Sequence, residues 1–226
     1  MKLKSLSLSA VALATLLASC GGGAEGTTET TSSSFCTDSA CIKDPLRLGS
    51  ATPDKPSVTV SFKDCQIDSI LFDNGKAGNA KIGFAEFFAG RTVKPSKSLF
   101  GYEVGEGQGA WLKFNDCATG RGYLIKVPVA KGGSPMKYFS AVNSFDPKFR
   151  VSDGLVSYYD NTFLYVEDVQ TGKVAKTLLT DSGVKGVDHD NVHSFLDSVN
   201  ISKDHLYAKI KYEGKDIVHD VPLSFK

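Results

Sequence analysis

"HLYAKIKYEGKDIVHDVPL", residues 205–223, reads as two strands joined by a turn. Leu206, Ala208 and Ile210 recur at every second position with polar side chains between them, the period at which a strand sends neighbours to opposite faces. "YEGK" at 212–215 supplies a glycine that can take φ > 0, and the alternation resumes in "DIVHDVPL". The same pattern recurs upstream in "SVTVSF", "AWLKF", "GYLIKVPV", "TFLYVEDV" and "KVAKTLL". These runs are rich in β-branched and aromatic residues and are bounded by Gly, Asn, Asp or Pro. Further turn chemistry stands at "DNGK" (73–76), "ATGRG" (118–122) and "QTGK" (170–173). Only "AKIGFAEFFAG" and "DHDNVHSFLDSV" read as helical. The pattern predicts an all-β domain of mainly antiparallel hairpins, closed as a barrel or packed as a sandwich.

The turn glycines Gly75, Gly120, Gly172 and Gly214 are spaced by 45, 52 and 42 residues, and similar strands precede three of them ("WLKFNDCATG", "FLYVEDVQTG", "LYAKIKYEG"). Units of that length would suit a small β-propeller of about four blades, which is the alternative architecture. No blade signature accompanies the spacing.

The chain opens with "MKLKSLSLSAVALATLLAS", in which Lys2 and Lys4 precede an apolar run from Leu6 to Leu17. That is the anatomy of a secretory signal peptide, and the run is shorter than the roughly 20 residues a membrane-spanning helix needs. Leu17-Ala18-Ser19-Cys20, followed by glycine, resembles the lipobox of bacterial lipoproteins. The resemblance covers about the first 20 residues. It implies cleavage of the signal peptide 1–19 before Cys20, a diacylglyceryl thioether on that cysteine, and often an acylated amine, so that the partner of Cys20 is a lipid bilayer. One acyl chain holds a protein only marginally at about 0.8 kcal/mol per buried CH₂, whereas two or three give a durable anchor. In that family, glycine after the cysteine implies transfer to an outer membrane. The run "GGGAEGTTETTSSS" resembles the tethers of surface-displayed lipoproteins of Gram-negative bacteria. Residues 20–34 are then a lipidated cysteine, as the resemblance implies, and a tether whose composition from Gly21 to Ser34 predicts disorder, with an r.m.s. reach of roughly 20 Å.

Five cysteines would leave one thiol over; setting Cys20 aside leaves Cys36, Cys41, Cys65 and Cys117, an even set for disulfide bonds in an exported, oxidising setting. Cys36 with Cys41 would close the short loop "CTDSAC", and Cys65 with Cys117 would join the similar stretches "FKDCQI" and "FNDCAT". Those loops would contribute about 2 and about 4 kcal/mol respectively. The spacing is not CxxC, no histidine stands near any of the four, and no metal or cofactor is expected. Residues 35–55 then form a disulfide-looped lead-in, and 56–226 a single β domain long enough for one core. Loss of Lys2 and Lys4 moves the formal charge from +1 to −1. No basic stripe is present, and no nucleic-acid partner is expected.

Chemistry-bearing motifs are sparse. In "VDHDNVHS" (187–194), His189 and His193 would share a face at i, i+4 on a helix, a spacing that can seat a metal ion; Zn²⁺ wants at least three protein ligands, and the other reading is an Asp-rich turn with solvated histidines. "GYEVGEGQGAW" (101–111) precedes a strand rather than a helix, so it reads as a hairpin connection and not a phosphate cradle. There is no G-x-S-x-G elbow and no distinguishable carboxylate pair; the sequence gives no support for an enzyme.

The remaining signal is aromatic. "EFFAGRTVKPSKSLFGY" (86–102) lacks clean alternation and interleaves Phe87, Phe88, Phe100 and Tyr102 with Arg91, Lys94 and Lys97. Such residues either pack the core or form a loop that presents rings and cations to a partner. Phe87, Phe88, Arg91, Lys94, Phe100 and Tyr102 are therefore the candidate partner-binding residues. The expected function is that of a membrane-anchored lipoprotein at the outer-membrane surface, capturing a host or nutrient-carrier protein. The surface receptors of Gram-negative bacteria that take up transferrin, haemoglobin or complement factors are similar in outline. Two alternatives are a periplasmic scaffold lipoprotein of an outer-membrane complex and a metal-dependent hydrolase built on "DHDNVH".

Overall fold

A computed structural model describes residues 35–36, 40–50, 55–74, 78–106, 109–128, 133–160, 162–179, 184, 188 and 190–226. The expected signal peptide 1–19, Cys20 and the expected tether to residue 34 lie outside the described residues. The chain first lays down β1 (Leu46–Gly49), β2 (Ser57–Lys63), β3 (Gln66–Asp73) and β4 (Asn79–Gly83), an antiparallel meander that forms one four-stranded sheet. One helical turn, α1 (Phe84–Phe87), leads on toward β5 (Phe100–Gly105), β6 (Gly109–Asn115), β7 (Gly122–Val127) and β8 (Met136–Val142). After β9 (Phe149–Val151) come β10 (Leu155–Tyr159), β11 (Phe163–Asp168) and β12 (Val174–Leu178). The second sheet has seven strands in the order β12-β11-β10-β8-β7-β6-β5, every pair antiparallel. β13 (Leu196–Ile201), β14 (His205–Tyr212) and β15 (Lys215–Pro222) complete a third sheet with β9, which pairs parallel to β13.

The expected all-β, antiparallel architecture is the one observed. The propeller alternative is not: blades would be separate four-stranded sheets around an axis, whereas seven strands here share one ladder. Of the two helical stretches, 80–90 yields only α1 after the end of β4, and 188–199 yields a single 3-10 turn, Val192–Ser194, before β13.

The seven-stranded sheet is the common wall of three cores. Ala110, Leu112 and Phe114 of β6 and Tyr123, Ile125 and Val127 of β7 pack with Val58, Val60, Ile70 and Phe72 of the first sheet. Leu155, Leu164 and Val166 pack with Val199, Ile201, Leu206, Ala208 and Ile210 of the third. On the opposite face Trp111, Leu124, Ala141, Val156, Tyr158 and Val169 form a third cluster. Burial on both faces turns "GYLIKV" and "LVSYY" into near-continuous apolar runs.

This third cluster lies inside a curl. β7 and β11 are three strand steps apart, about 14 Å in a flat sheet. Yet Lys126 Nζ on β7 stands 2.5 Å from Glu167 Oε1 on β11, and Trp111 stacks on Tyr158, also three steps away, at 6.2 Å. Only a sheet rolled with this face inward allows both. At its end Gly105 meets the carbonyl of Val169 so closely that a Cβ would sit 1.9 Å from the oxygen. Gln170 Nε2 donates to the Val104 carbonyl at 3.2 Å across the same junction.

The disulfides differ from the expected pairing. Cys36 joins Cys117 (Cα–Cα 5.0 Å) and Cys41 joins Cys65 (4.8 Å). The physical reason is that the lead-in runs over the domain instead of looping on itself. Phe35 donates its N–H to the Cys117 carbonyl at 2.9 Å, while Cys65 sits in the β2–β3 turn. The similarity of "FKDCQI" and "FNDCAT" marks two hairpin turns, each stapled to a different part of the lead-in. The lead-in also contributes β1, which pairs along β2 from Leu46↔Val60 to Gly49↔Ser57, so the domain begins well before residue 56.

Candidate functional site

Of the six residues expected to bind a partner, Phe88 (0 % exposed) and Phe100 (8 %) are core. Phe88 touches the rings of Phe84, Phe87, Phe114, Tyr123 and Phe139, so it has no surface to offer. Residues 86–102 are hence not an aromatic-presenting loop: one turn of helix points Phe84 and Phe88, four apart, into the first core. Tyr102 is half-buried against that core, and burial pushes its phenol up to about 12. Lys94 is exposed, and its backbone holds the neighbouring turn, its N–H donating to Asp116 Oδ1 and its carbonyl accepting from Cys117.

Phe87 and Arg91 remain at the surface, and they border a groove the sequence did not reveal. β8 and β10 pair only at Val142↔Ser157 and Ala141↔Tyr158, although β8 runs back to Met136. Where they diverge, a cleft of about 430 Å³ opens, lined among others by Lys137, Phe139, Ser140, Asp160, Thr162 and Asp190. A second cleft of about 390 Å³, between β4, α1 and β8, is lined by Lys81, Ile82, Gly83, Glu86, Phe87 and Lys137. Lys137 belongs to both. Its ammonium donates to the Phe87 carbonyl and lies 4.9 Å from the Phe87 ring and 5.6 Å from that of Phe139.

Charge is held in place around the first cleft. Arg91 pairs with Asp190 at 2.9 Å and covers the Phe139 ring at 5.0 Å. Arg121 donates from Nε to the Phe139 carbonyl at 2.7 Å and lies over Tyr123 at 5.4 Å. Burial lowers the Arg121 guanidinium from its ordinary value, as does the charge of Arg91, while Tyr123, Asp190 and Asp188 oppose the shift. Asp160 accepts the N–H groups of Thr162 and Phe163 at 2.7 and 2.6 Å; burial would raise its carboxyl, but these bonds hold it below the ordinary range.

The described residues of "DHDNVH" are not grouped as metal ligands. The side chain of His193 is buried: its Nδ1 faces Asp146 Oδ2 at 3.4 Å, and its Nε2 lies 2.9 Å from the Ala141 carbonyl and 3.1 Å from the Gly122 amide. The ring clamps the register shift between β7 and β8 to the β8–β9 connection, a structural task, and not the solvated histidine expected of an Asp-rich turn. His189 lies outside the described residues. Among the described residues no three His, Cys, Asp or Glu side chains are grouped to hold a metal ion.

The cleft residues Lys137, Ser140, Asp160 and Asp190 come from segments with no common sequence spacing, and Arg121 reads in sequence only as part of the turn "ATGRG". A weak signal existed in "MKYFSAV", a strand-like run whose interior lysine sits among aromatic residues. The sequence matches no protein-family model and none of the curated proteins compared with it.

Proposed function

We propose that this chain is an exported lipoprotein, anchored through acylated Cys20 in a Gram-negative outer membrane, whose β domain binds a macromolecular partner at the cell surface. The observation that carries the reading is the use of cysteine. Cys36, Cys41, Cys65 and Cys117 are consumed in two disulfides, which suits an oxidising compartment outside the cytosol. The fifth, Cys20, is the cysteine of the lipobox-like Leu17-Ala18-Ser19-Cys20. The Cys36–Cys117 bridge also supports a tethered design, since pull on the segment before residue 36 passes directly into the β6–β7 turn and the central sheet. For the partner, the double groove around Lys137 is the surface that offers rings, cations and carboxylates together.

Intact-mass analysis of protein purified from a native host tests the anchor: the expected product begins at Cys20 and carries a diacylglyceryl adduct that Cys20→Ser abolishes. Protease added to intact cells tests display, with degradation expected before lysis. A mature chain without fatty adduct defeats the anchor; full protection until lysis defeats surface display and leaves a periplasmic location.

A further inference from the structure

The face of the seven-stranded sheet that turns into the curl carries a row of rings from four strands. Tyr138 of β8 and Tyr158 of β10 stand with ring centroids 3.9 Å apart and planes 32° apart, the tightest aromatic contact among the described residues. Trp111 of β6 lies 5.7 Å from Tyr138, and Tyr165 of β11 stacks on Tyr158 at 5.2 Å and 14°. The two close phenols also share a hydrogen bond, which Tyr158 donates and Tyr138 accepts. The main-chain ladder does not bring these rings together. β8 and β10 pair only at Val142↔Ser157 and Ala141↔Tyr158, and Tyr138 lies beyond the last pair, where the strands have parted.

Two stacked phenols with their hydroxyl ends together bring the ring carbons ortho to each oxygen face to face. Those carbons carry the spin of a phenoxyl radical and are where two such radicals couple. Burial raises both phenols, so each is protonated at neutral pH and loses its proton along with its electron. Tyr138 lines the cleft of about 430 Å³ between the parted strands, which gives oxidant and water a way to the pair. Tyr165 is a second point of entry: it is half-buried, stacks on Tyr158, and donates its hydroxyl to Asp160, a ready proton acceptor. Trp111 is the competing ring, but its Nε1–H is buried without a partner to take the proton. Oxidation in this row therefore settles on the tyrosines.

We propose that Tyr138 and Tyr158 are an oxidative cross-linking site, at which a one-electron oxidant joins the two rings into a dityrosine. Each phenol gives one electron to the oxidant and one proton to water. The two radicals form a carbon–carbon bond between ortho positions, and the hydrogens on those carbons move to the oxygens, restoring both phenols. The product has lost two hydrogen atoms, and the oxidant has taken two electrons, as one hydrogen peroxide turned over by a peroxidase does, or one persulfate. The bond fastens β8 to β10 where their ladder has ended and closes residues 138–158 into one covalent loop. It sets the width of the cleft that the parted strands leave.

The inference depends on neither the anchor nor a partner. It is tested on the full-length Cys20→Ser chain, in which every remaining cysteine is in a disulfide and no thiol competes for the oxidant. The chain is photo-oxidised with ruthenium tris-bipyridyl and persulfate, dilute enough to keep molecules apart, and the monomer is isolated. The expected product has blue biphenol fluorescence and one cross-linked peptide pair, lighter by two hydrogen atoms, that joins Tyr138 to Tyr158. It should melt several degrees above the untreated chain, because the link closes a loop in the unfolded state. Tyr138→Phe and Tyr158→Phe keep the rings and should each abolish the cross-linked monomer, with Trp111 emission unchanged as the sign of an intact curl. Tyr165→Phe should slow the reaction without moving the link. A link between other tyrosines, oxidation that ends on Trp111 with the pair unjoined, or a yield untouched by Tyr138→Phe overturns the site. The peptide map of the Cys20→Ser chain decides this by itself should a tyrosine variant fail to fold.

Discussion

At Asp116 and Asp168 the chain uses one device twice. "DCATG" and "DVQTG" share Asp, Thr three residues on and Gly after that. In both, the aspartate side chain accepts the threonine N–H, at 3.1 and 2.9 Å, and the glycine N–H returns to the aspartate carbonyl at 2.8 Å. In both, the aspartate amide donates at 2.9 Å to the residue after the glycine, which takes φ +74° or +67° where a Cβ would strain the turn. The interval from Gly120 to Gly172, one of those that suggested propeller blades, is therefore the recurrence of one hairpin turn. Asp168→Ala should destabilise the domain by about 1–2 kcal/mol in urea unfolding, and Asp168→Asn by less, because the amide oxygen can still accept. Asp168 and Asp146 also predict the acid limb. Asp168 is held low by the Thr171 amide, against burial, with help from Lys203; burial would raise Asp146, but the bonds from His193 and the Lys148 amide outweigh it. An unfolded carboxylate protonates near pH 4, so the stabilisation is complete above that value and is lost as pH falls through the depressed folded values. Tm should be flat to about pH 5 and fall below about pH 4, more gently in an Asp146→Asn, Asp168→Asn double variant.

At the scale of elements, the seven stretches whose alternation reads as β do form strands, because each presents a wet and a dry face or sits in a simple hairpin. β8 and β10 escaped notice for opposite reasons. β8 shifts register against β7 between Gly122 and Leu124, and β10 is buried at all five positions, so neither keeps a clean period. The curl they belong to is no property of a single strand. It shows in contacts across strands, above all Lys126–Glu167, whose side chains are 19 % and 4 % exposed. Removing one member of a buried pair strands the other charge: Lys126→Met should cost about 3–5 kcal/mol, and adding Glu167→Leu should recover part of it. Gly105→Ala should open the end of the curl, with a loss of about 3 kcal/mol, since the clash is with backbone and not with a side chain that can rotate away. Trp111 fluorescence then shifts to the red before global unfolding; an unshifted spectrum would mean the junction tolerates the methyl group.

For the whole molecule, the two disulfides decide how the lead-in is carried. Cys36–Cys117 spans 81 residues and Cys41–Cys65 spans 24. Chain entropy gives about 4.5 and about 3.5 kcal/mol for loops of those lengths, so Cys36→Ser, Cys117→Ser should lower the urea midpoint more than Cys41→Ser, Cys65→Ser, on a matched m-value. Equal losses would show that the shorter bridge also keeps β1 on β2. What the sequence determined by itself is whatever depends on near neighbours: period-two strands, turn residues and the all-β class. Which cysteine meets which, that Phe88 and Phe100 are core, that β8 and β10 part to leave a cleft, and that Arg91, Arg121 and Lys137 gather on Phe139 were decided by the tertiary structure alone. Alternation is a local property, because side-chain direction is set by each residue's own backbone. Pairing, curl and charge clustering join residues tens of positions apart, and they arise only when three cores close together on one sheet.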